Sequence, residues 1–245
     1  MFEEIYVVNL DRNAARLAAF CRVNAHVLSR VRRFSAVDGR ALDRAGLVAA
    51  GIVEAGNCYA AGALGCAVSH LTLWDYAARE GRMLTVVEDD AVLARGFVAA
   101  GEAVVGALPA DWDIVLWGWN FDSVLAVELI PGVLPASVFA DEAALRRNVA
   151  GFQTAGVRAA PVRLLHAFGT LGYSVSAKGA AALLARVLPL HGRVVAFPGV
   201  GLRLLNVGID VSMNEVFAGI QAFVSLPPLA VSENRKEVST VLGVG

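Results

Sequence analysis

The chain has 245 residues but only three cysteines, four histidines and three methionines, and its charged fraction of 18% is low. Three cysteines are too few and too scattered for a disulfide framework or a zinc site of the usual ligand spacing, so we expect thiols in a reducing compartment. A net charge of −1 gives no reason to expect a nucleic-acid partner. The hydrophobic fraction of 57% excludes a globally disordered chain. These properties are typical of a compact intracellular protein with a sizeable core.

The sequence also lacks a secretory signal and a clear membrane span. Glu3 and Glu4 stand where a signal peptide carries its positive charges. The longest stretch without a formal charge, Ala55–Trp74, is long enough to cross a bilayer. Its polar side chains and three glycines are costly in hydrocarbon, however, so we interpret it as a loop followed by an amphipathic helix. We therefore expect a cytoplasmic protein.

A basic cluster stands at the second predicted strand and consists of Arg30, Arg32 and Arg33. The default interpretation of such a cluster is a solvated strand edge. The alternative is electrostatic contact with anionic lipid, which would place the protein peripherally at the inner membrane.

Strands and helices alternate along the first half of the chain. Apolar runs predict strands at Ile5–Val8, Val31–Val37, Met83–Val87 and Ile114–Trp117. Helical periodicity predicts helices at Asp11–Val23, Leu64–Glu80 and around Gly96–Leu108. This order indicates an α/β fold with a mostly parallel sheet flanked by helices. From Phe121 to Arg163 the pattern is weak and prolines interrupt it, so we expect an excursion from the sheet there.

Three consecutive acids, Glu88, Asp89 and Asp90, follow directly after the apolar run Met83–Val87. That run is uninterrupted, which is typical of a strand buried on both faces. In open α/β sheets, ligands bind in the crevice beyond the carboxyl ends of the strands. Crowded acids repel one another there, and a hard divalent cation with a bound diphosphate is a usual partner that offsets their charge. The alternative from these residues alone is a solvated acidic turn.

The segment before the acids contains the motif GCxxSHxxxW, formed by Gly65, Cys66, Ser69, His70 and Trp74. This motif, followed by VVEDD, resembles glycosyltransferase family 25, whose bacterial members build lipopolysaccharide or lipooligosaccharide and whose relatives galactosylate collagen. Further blocks match in the family's order: IYVVNLDR, FSAVDG, WDIVLWG, GYSVSAKGAAALL and, more loosely, the segment at 228–239.

The resemblance covers nearly the whole chain and implies a Rossmann-like fold of the GT-A type. It implies one glycosyltransferase domain over residues 1–245. Residues 1–120 would form the nucleotide-sugar-binding half, and residues 121–245 the acceptor-side half.

The same resemblance implies roles for the three acids. Asp90 is expected to coordinate Mn²⁺ or Mg²⁺, and Glu88 to face the ribose of the donor or a metal-bound water as the second residue of the metal site. Asp89 points to the opposite strand face and is expected to be structural. The cation would neutralise the diphosphate leaving group of a nucleotide sugar.

Polar residues after the first two predicted strands are candidates for binding the donor. Asn9, Asp11, Arg12 and Asp38 lie in loops where such folds bind uridine and ribose. Arg12 and Arg16 stand at positions i and i+4 of a predicted helix, so both could reach a phosphate, although a surface role is the simpler interpretation for Arg16.

Two residues of the family motif, Ser69 and His70, are further candidates for the donor site. The alternatives are a serine that bonds its own helix backbone and a hydrogen-bonded histidine in the core. Of Trp117 and Trp119, one is expected to pack in the core and the other to stack on a sugar.

Members of family 25 invert the anomeric configuration, so the resemblance implies a general base across the cleft from the metal. Asp210 falls where the family has an acid after a proline-containing stretch, although here no proline directly precedes it. Asp122 and Glu215 are the alternatives.

The resemblance thus implies a metal-dependent inverting transferase that moves a hexose, galactose from UDP-galactose, onto a saccharide or glycolipid acceptor such as lipooligosaccharide. A sugar-1-phosphate nucleotidyltransferase is an alternative, but it would normally show a glycine-rich basic loop after the first strand, and Asn9–Arg12 is not one. A second alternative is a module of the same fold that binds a nucleotide sugar without turnover.

Overall fold

The computed structural model describes residue 2 and residues 4–233 of the chain. The end of the family block at 228–239 and the acid Glu3 lie outside the described residues. Within them, the strands are β1 (Ile5–Asn9), β2 (Val31–Ser35), β3 (Leu84–Glu88), β4 (Val92–Leu93), β5 (Ile114–Gly118), β6 (Val124–Ile130), β7 (Leu134–Phe139), β8 (Ala160–His166), β9 (Gly172–Val175), β10 (Val194–Phe197), β11 (Leu202–Leu205), β12 (Ala222–Leu226) and β13 (Ala230–Val231). The α-helices are α1 (Ala14–Val23), α2 (Arg44–Ala49), α3 (Ala61–Glu80), α4 (Phe97–Gly106), α5 (Glu142–Thr154), α6 (Ala177–Val187) and α7 (Ile209–Phe217).

The main sheet has nine strands among the described residues, in the order β2-β1-β3-β9-β5-β12-β8-β6-β7. The pairings make β1, β2, β3, β5, β6 and β12 point in one direction, and β7, β8 and β9 in the other. The predicted α/β fold with a mostly parallel sheet is therefore confirmed. Two strands inside the sheet run against this direction: β9 lies antiparallel between β3 and β5, and β8 between β12 and β6.

The elements predicted for the first half of the chain are confirmed within a few residues. Strand β3 is buried along all but its last residue, and β5 is buried throughout, as their uninterrupted apolar runs predict. The predicted first helix begins with a short 3-10 turn at Asp11–Asn13 and becomes α-helical at Ala14. Arg12 therefore precedes the α-helix that carries Arg16, and the two side chains have different partners.

The expectation of an excursion from Phe121 to Arg163 is wrong, because β6, β7 and most of β8 lie there and extend the main sheet. The prolines are compatible with strands for local reasons. Pro131 follows β6 in the turn, and Pro135 lies on the edge strand β7, where a missing N–H is tolerated. Pro161 stands at the start of β8, ahead of the residues that pair with β6.

Two family blocks meet where α3 crosses the loop after β2. A Cβ atom on Gly65 would lie 2.5 Å from the carbonyl oxygen of Val37, and one on Gly39 would lie 1.7 Å from that of Ala61. Both distances are far below van der Waals contact, so helix and loop approach this closely only because both positions are glycine. The close packing brings α3 against the loop that contains Asp38.

We expect Gly65→Ala to lower the free energy of unfolding by about 1–3 kcal/mol, because a methyl group there must displace backbone atoms of the neighbouring loop. Urea denaturation followed by circular dichroism measures the change. Gly106→Ala is the matched control, because nothing lies within 4 Å of its Cβ position. Equal stability of the two variants would contradict the tight approach of α3 to the loop.

The basic cluster Arg30, Arg32 and Arg33 is engaged within the protein. Arg32 forms an ion pair with Glu4, Arg33 pairs with Asp11, and Arg30 donates to the carbonyl oxygen of Phe2. Contact of these arginines with a lipid surface stays a prediction. None of the helices in the described part of the chain combines the length and the apolar character needed to span a bilayer.

Candidate functional site

The three acids lie at the edge of the sheet where the parallel strands β1, β2, β3 and β5 end. Glu88 is the last residue of β3, and its backbone N–H donates to the carbonyl oxygen of Leu171 at 3.0 Å. Because β9 is antiparallel, its first residue reaches the same edge, where Gly172 pairs with Val87. The loop before β9 therefore faces the acids.

Asp89 is buried and bound on both of its carboxylate oxygens. Asn9 at the end of β1 donates its amide Nδ2 to one oxygen at 2.7 Å, and Arg16 donates Nε to the other at 2.8 Å. Asn9 Nδ2 also donates to the carbonyl oxygen of Asn13, and Asn9 Oδ1 accepts from Arg33 Nε. Asp89 thus fastens α1 to the sheet, in keeping with the structural role expected for it, and Asn9 is held by protein partners.

Asp90 is the most accessible of the three acids, with 38% of its side chain exposed. Ser232 donates its hydroxyl to Asp90 Oδ2 at 3.1 Å, and an Arg16 nitrogen lies 3.8 Å from the same oxygen. Partial removal from water raises the pKa of Asp90; Arg16 opposes this shift and the charge of Asp89 adds to it. A carboxylate that is crowded yet reachable from solvent suits the binding of a cation.

Glu88 lies deeper, and Thr170 in the loop before β9 donates its hydroxyl to the Glu88 carboxylate. Burial, with the nearby charge of Asp90, raises the pKa of Glu88 to about 8, against the effect of the Thr170 hydrogen bond. The charge of Asp90 therefore destabilises the charged form of Glu88, and a bound cation would offset that repulsion.

The motif residues His70 and Trp74 contact β9 through a single phenol. The Tyr173 hydroxyl lies 2.8 Å from His70 Nδ1 and accepts from the indole Nε1 of Trp74 at 2.9 Å. Burial lowers the pKa of His70 to about 4, so the imidazole is neutral at pH 7. His70 Nε2 has no hydrogen-bond partner among the described residues. A buried polar atom without a partner costs about 1–3 kcal/mol.

Cys66, His70 and Glu88 come together at this point. One ligand atom from each of them lies within 4.8 Å of the other two, so the group could hold a metal ion. Burial raises the pKa of the Cys66 thiol, and the nearby charges of Glu88 and Asp210 raise it further.

Ser69 joins α3 to the loop after β2 rather than facing this cluster. Its hydroxyl donates to the carbonyl oxygen of Gly65 at 2.7 Å and accepts from the backbone N–H of Val37 at 2.9 Å. The contact to Gly65 is the local helix bond weighed as the alternative from sequence. A role for Ser69 in binding the donor stays a prediction.

The remaining candidates from the first two loops form ion pairs at the carboxyl ends of β1 and β2. Arg12 pairs with Asp38, and both side chains are about one-third exposed. Asp11 pairs with Arg33 and accepts the Ser35 hydroxyl at 2.7 Å, and the hydrogen bond from Arg33 lowers the pKa of Asp11. These groups lie at the rim of the same edge, where a nucleotide could exchange them for its own contacts.

Asp210 lies in the first turn of α7 and reaches the loop before β9. Its Oδ2 accepts the backbone N–H of Gly169 at 3.0 Å, and Gly169 directly precedes Thr170, which binds Glu88. Two consecutive residues thus connect Asp210 with Glu88. Burial raises the pKa of Asp210, and the hydrogen bond from Gly169 opposes the shift.

The start of α7 is fixed by a buried tyrosine. The Tyr59 hydroxyl lies 2.7 Å from Asn206 Oδ1 and 2.9 Å from both the carbonyl oxygen of Gly208 and the hydroxyl of Ser212. This network sets the position of Asp210. Of the two alternative bases, Glu215 has a carboxylate oxygen 2.8 Å from His191 Nε2.

Sequence reasoning missed the residues that connect the acids with the rest of the site. Thr170 and Gly169 belong to no recognised motif, and Tyr173 was part of a matched block without an assigned role. Both tryptophans considered for stacking are buried, Trp117 beside Phe2 and Trp119 beside Phe121. Neither indole face is open to a sugar in this structure.

Comparison with known proteins supplies the family. The model of glycosyltransferase family 25, described as a lipopolysaccharide biosynthesis protein, matches residues 2–195. The chain is also similar to two curated mammalian proteins, in alignments of 205 residues that cover 78% of its length. The rat protein, named probable inactive glycosyltransferase 25 family member 3, is 27% identical, and the mouse protein, named inactive glycosyltransferase 25 family member 3, is 26% identical.

The chain spans 31% of the rat protein and 30% of the mouse protein, so the likeness covers less than a third of either relative. The matched family region contains the acids, the motif on α3 and the loop before β9, and it ends before Asp210. With the strand-end acids and the packed motif blocks in the positions described above, the chain belongs to glycosyltransferase family 25.

Proposed function

We propose that the protein is an inverting glycosyltransferase that moves a hexose, galactose from UDP-galactose, onto a saccharide acceptor such as lipooligosaccharide. The observation that carries the proposal is the connection of Asp210 to Glu88 through Gly169 and Thr170, with the charge of Asp90 close to Glu88. Family membership supports the transferase class. The sugar and the acceptor follow from the resemblance to the family.

Glu88 and Asp90 fit a hard divalent cation such as Mn²⁺ or Mg²⁺. Both offer carboxylate oxygens, the ligands these ions prefer, and their mutual repulsion favours a positive partner. A cation bound there would neutralise the negative charge that develops on the departing diphosphate. Arg16, which lies close to Asp90, adds a fixed positive charge beside the same position.

The ion-paired residues at the ends of β1 and β2 would bind the nucleotide. Arg12 is suited to a phosphate, since its guanidinium offers paired donors, and its present partner Asp38 is suited to ribose hydroxyls. Asp11 stands beside them, largely exposed. Asn9 would contribute indirectly, because its amide donates a hydrogen bond to Asp89 and fixes the position of that carboxylate.

Asp210 would take the proton of the acceptor hydroxyl. Its Oδ2 is held by the Gly169 N–H, which fixes the orientation of the carboxylate. The raised pKa of Asp210 makes it a stronger base than an exposed aspartate. A purely structural carboxylate that caps the first turn of α7 is the competing role.

A second candidate function is a module that binds a nucleotide sugar without turnover. The names of the rat and mouse relatives, which describe those proteins as inactive, favour it. The two candidates share the donor site and differ in whether a sugar is transferred.

Thermal unfolding with a panel of nucleotide sugars tests the donor site, which both candidates require. We expect UDP-galactose with Mn²⁺ to stabilise the protein by about 2.7 kcal/mol when the free ligand is at 100 times its Kd, because it binds only the folded chain. ADP- and GDP-sugars are the controls. Equal shifts from all nucleotides, or no shift from any, would contradict the donor assignment.

Release of UDP in the presence of saccharide acceptors then separates the two functions. Turnover that depends on the acceptor supports the transferase. Stabilisation by UDP-galactose without any turnover supports the binding module.

A further inference from the structure

The cluster of Cys66, His70 and Glu88 has a different chemistry from the pair Glu88 and Asp90. Cys66 and His70 stand at positions i and i+4 of α3, so both side chains lie on one face of the helix. Glu88 approaches that face from the end of β3. The three residues offer a thiol, an imidazole and a carboxylate, with one ligand atom of each within 4.8 Å of the others.

The state of His70 points to a missing ligand. His70 is fully buried, and its Nδ1 is occupied by the Tyr173 hydroxyl at 2.8 Å. The indole of Trp74 donates to that hydroxyl, whose oxygen has a second lone pair that can accept the hydrogen of His70 Nδ1. In this tautomer Nε2 has a free lone pair, and it has no hydrogen-bond partner among the described residues.

Histidines that bind metals almost always donate the hydrogen of their second ring nitrogen to a partner, which fixes the tautomer and the orientation of the ring. The Tyr173 contact supplies such a bond to His70, and Trp74 in turn orients the phenol. The ring is therefore positioned in advance, with Nε2 left for a ligand.

We propose that Cys66, His70 and Glu88 form a binding site for a thiophilic divalent cation such as Zn²⁺. This site differs from the proposed Glu88 and Asp90 site in two of its ligands and has Glu88 in common with it. Thiolate and imidazole ligands select zinc over magnesium and manganese. Three protein ligands leave the fourth position of a tetrahedral zinc ion open to water or another ligand. Cysteine spacing along the chain gives no hint of this site, because the third ligand comes from a different element.

Occupancy by zinc would have a consequence for the donor side. Zinc would engage the carboxylate of Glu88, which the donor cation is also proposed to use, so the two ions would compete for it. This consequence rests on the proposed function; the binding site itself does not.

Substitution by Co²⁺ tests the site directly in the full-length protein after its metals have been removed with EDTA. We expect one Co²⁺ per chain, with a thiolate-to-cobalt charge-transfer band in the near ultraviolet, and its displacement by Zn²⁺. Cys66→Ser should abolish the band and His70→Gln should weaken binding of both metals. Cys58→Ser is the matched control, since Cys58 is exposed and outside the cluster, and it should keep the band.

Tyr173→Phe tests the hydrogen bond that orients His70, and it leaves the three proposed metal ligands unchanged. Loss of the hydrogen bond to His70 Nδ1 should weaken Zn²⁺ binding by about 10- to 100-fold, measured by competition with a chromophoric chelator. Circular dichroism of each metal-free variant shows whether it is folded. Asp90→Asn should still bind Zn²⁺ and keep the thiolate band, because Asp90 is not one of the three ligands, which separates this site from the proposed donor cation.

The proposal is overturned if the wild-type protein gives no thiolate charge-transfer band with Co²⁺. It is also overturned if Cys66→Ser binds Zn²⁺ as tightly as the wild type. Zinc binding in a protein that transfers no sugar would retain the site and refute the transferase, so the two proposals fail separately.

Discussion

Asp90→Ala will lower the rate of hexose transfer by about a thousandfold or more. The variant removes a carboxylate of the proposed cation site, and a catalytic cation contributes several kcal/mol of transition-state stabilisation. The fold should survive, because the change relieves repulsion with Glu88, and the contacts it loses are the Ser232 hydrogen bond and the Arg16 nitrogen at 3.8 Å. Initial rates with saturating Mn²⁺, with and without EDTA, measure the effect.

The neighbouring acid provides the contrast for this experiment. Asp89→Asn should lower the free energy of unfolding, because Asp89 is buried and paired with Arg16. Asp75→Ala serves as the control, since Asp75 forms an exposed pair on α3 that contributes little. Full activity in EDTA, or a wild-type rate for Asp90→Ala, would refute the metal assignment.

Asp210→Asn will lower turnover by about 10²–10⁴-fold, the usual contribution of a general base, while donor affinity stays near normal. The substitution keeps the shape of the side chain and removes its capacity to accept a proton. Because the pKa of Asp210 is raised, the acidic limb of the wild-type pH–rate profile should occur at a higher pH than it would with an exposed aspartate as the base. The variant should lose that limb. Steady-state kinetics across pH measure both effects.

Two controls separate catalysis from helix capping. An asparagine caps a helix nearly as well as an aspartate, so a structural Asp210 would leave the variant active. Asp122→Asn and Glu215→Gln test the alternative bases. The anomeric coupling of the product in NMR tests inversion independently, because an α-linked donor must give a β-linked product. An α-linked product would eliminate the inverting mechanism whichever acid is the base.

The elements that could be predicted from the sequence are those whose signal is local. The uninterrupted run of β3 and the helical stripe of α3 report burial through their own side chains, and the acids follow from the end of β3. Strands β6 to β8 were missed because prolines in a turn or at an edge resemble strand breakers when the neighbours in the sheet are unknown.

The contacts within the site could not be predicted for a physical reason. Thr170 and Glu88 are 82 residues apart, and Asn9 and Asp89 are 80 apart, so their pairing depends on the order of strands in the sheet. The insertion of β9 between β3 and β5 brings Thr170 and Tyr173 to the acids. The local sequence pattern does not predict which strands β9 lies between.

The two-residue segment Gly169–Thr170 couples the position of Asp210 to that of Glu88. One planar peptide group separates the N–H that holds Asp210 from the residue that holds Glu88, so a displacement of one acid is transmitted to the other. Gly169 has a φ of +88°, and a Cβ there would lie 2.3 Å from Asn120 Oδ1, so a side chain at this position would disturb the segment. Under the proposed function, a donor bound beside Glu88 would act on the geometry at Asp210, and we therefore expect the donor to bind before the acceptor.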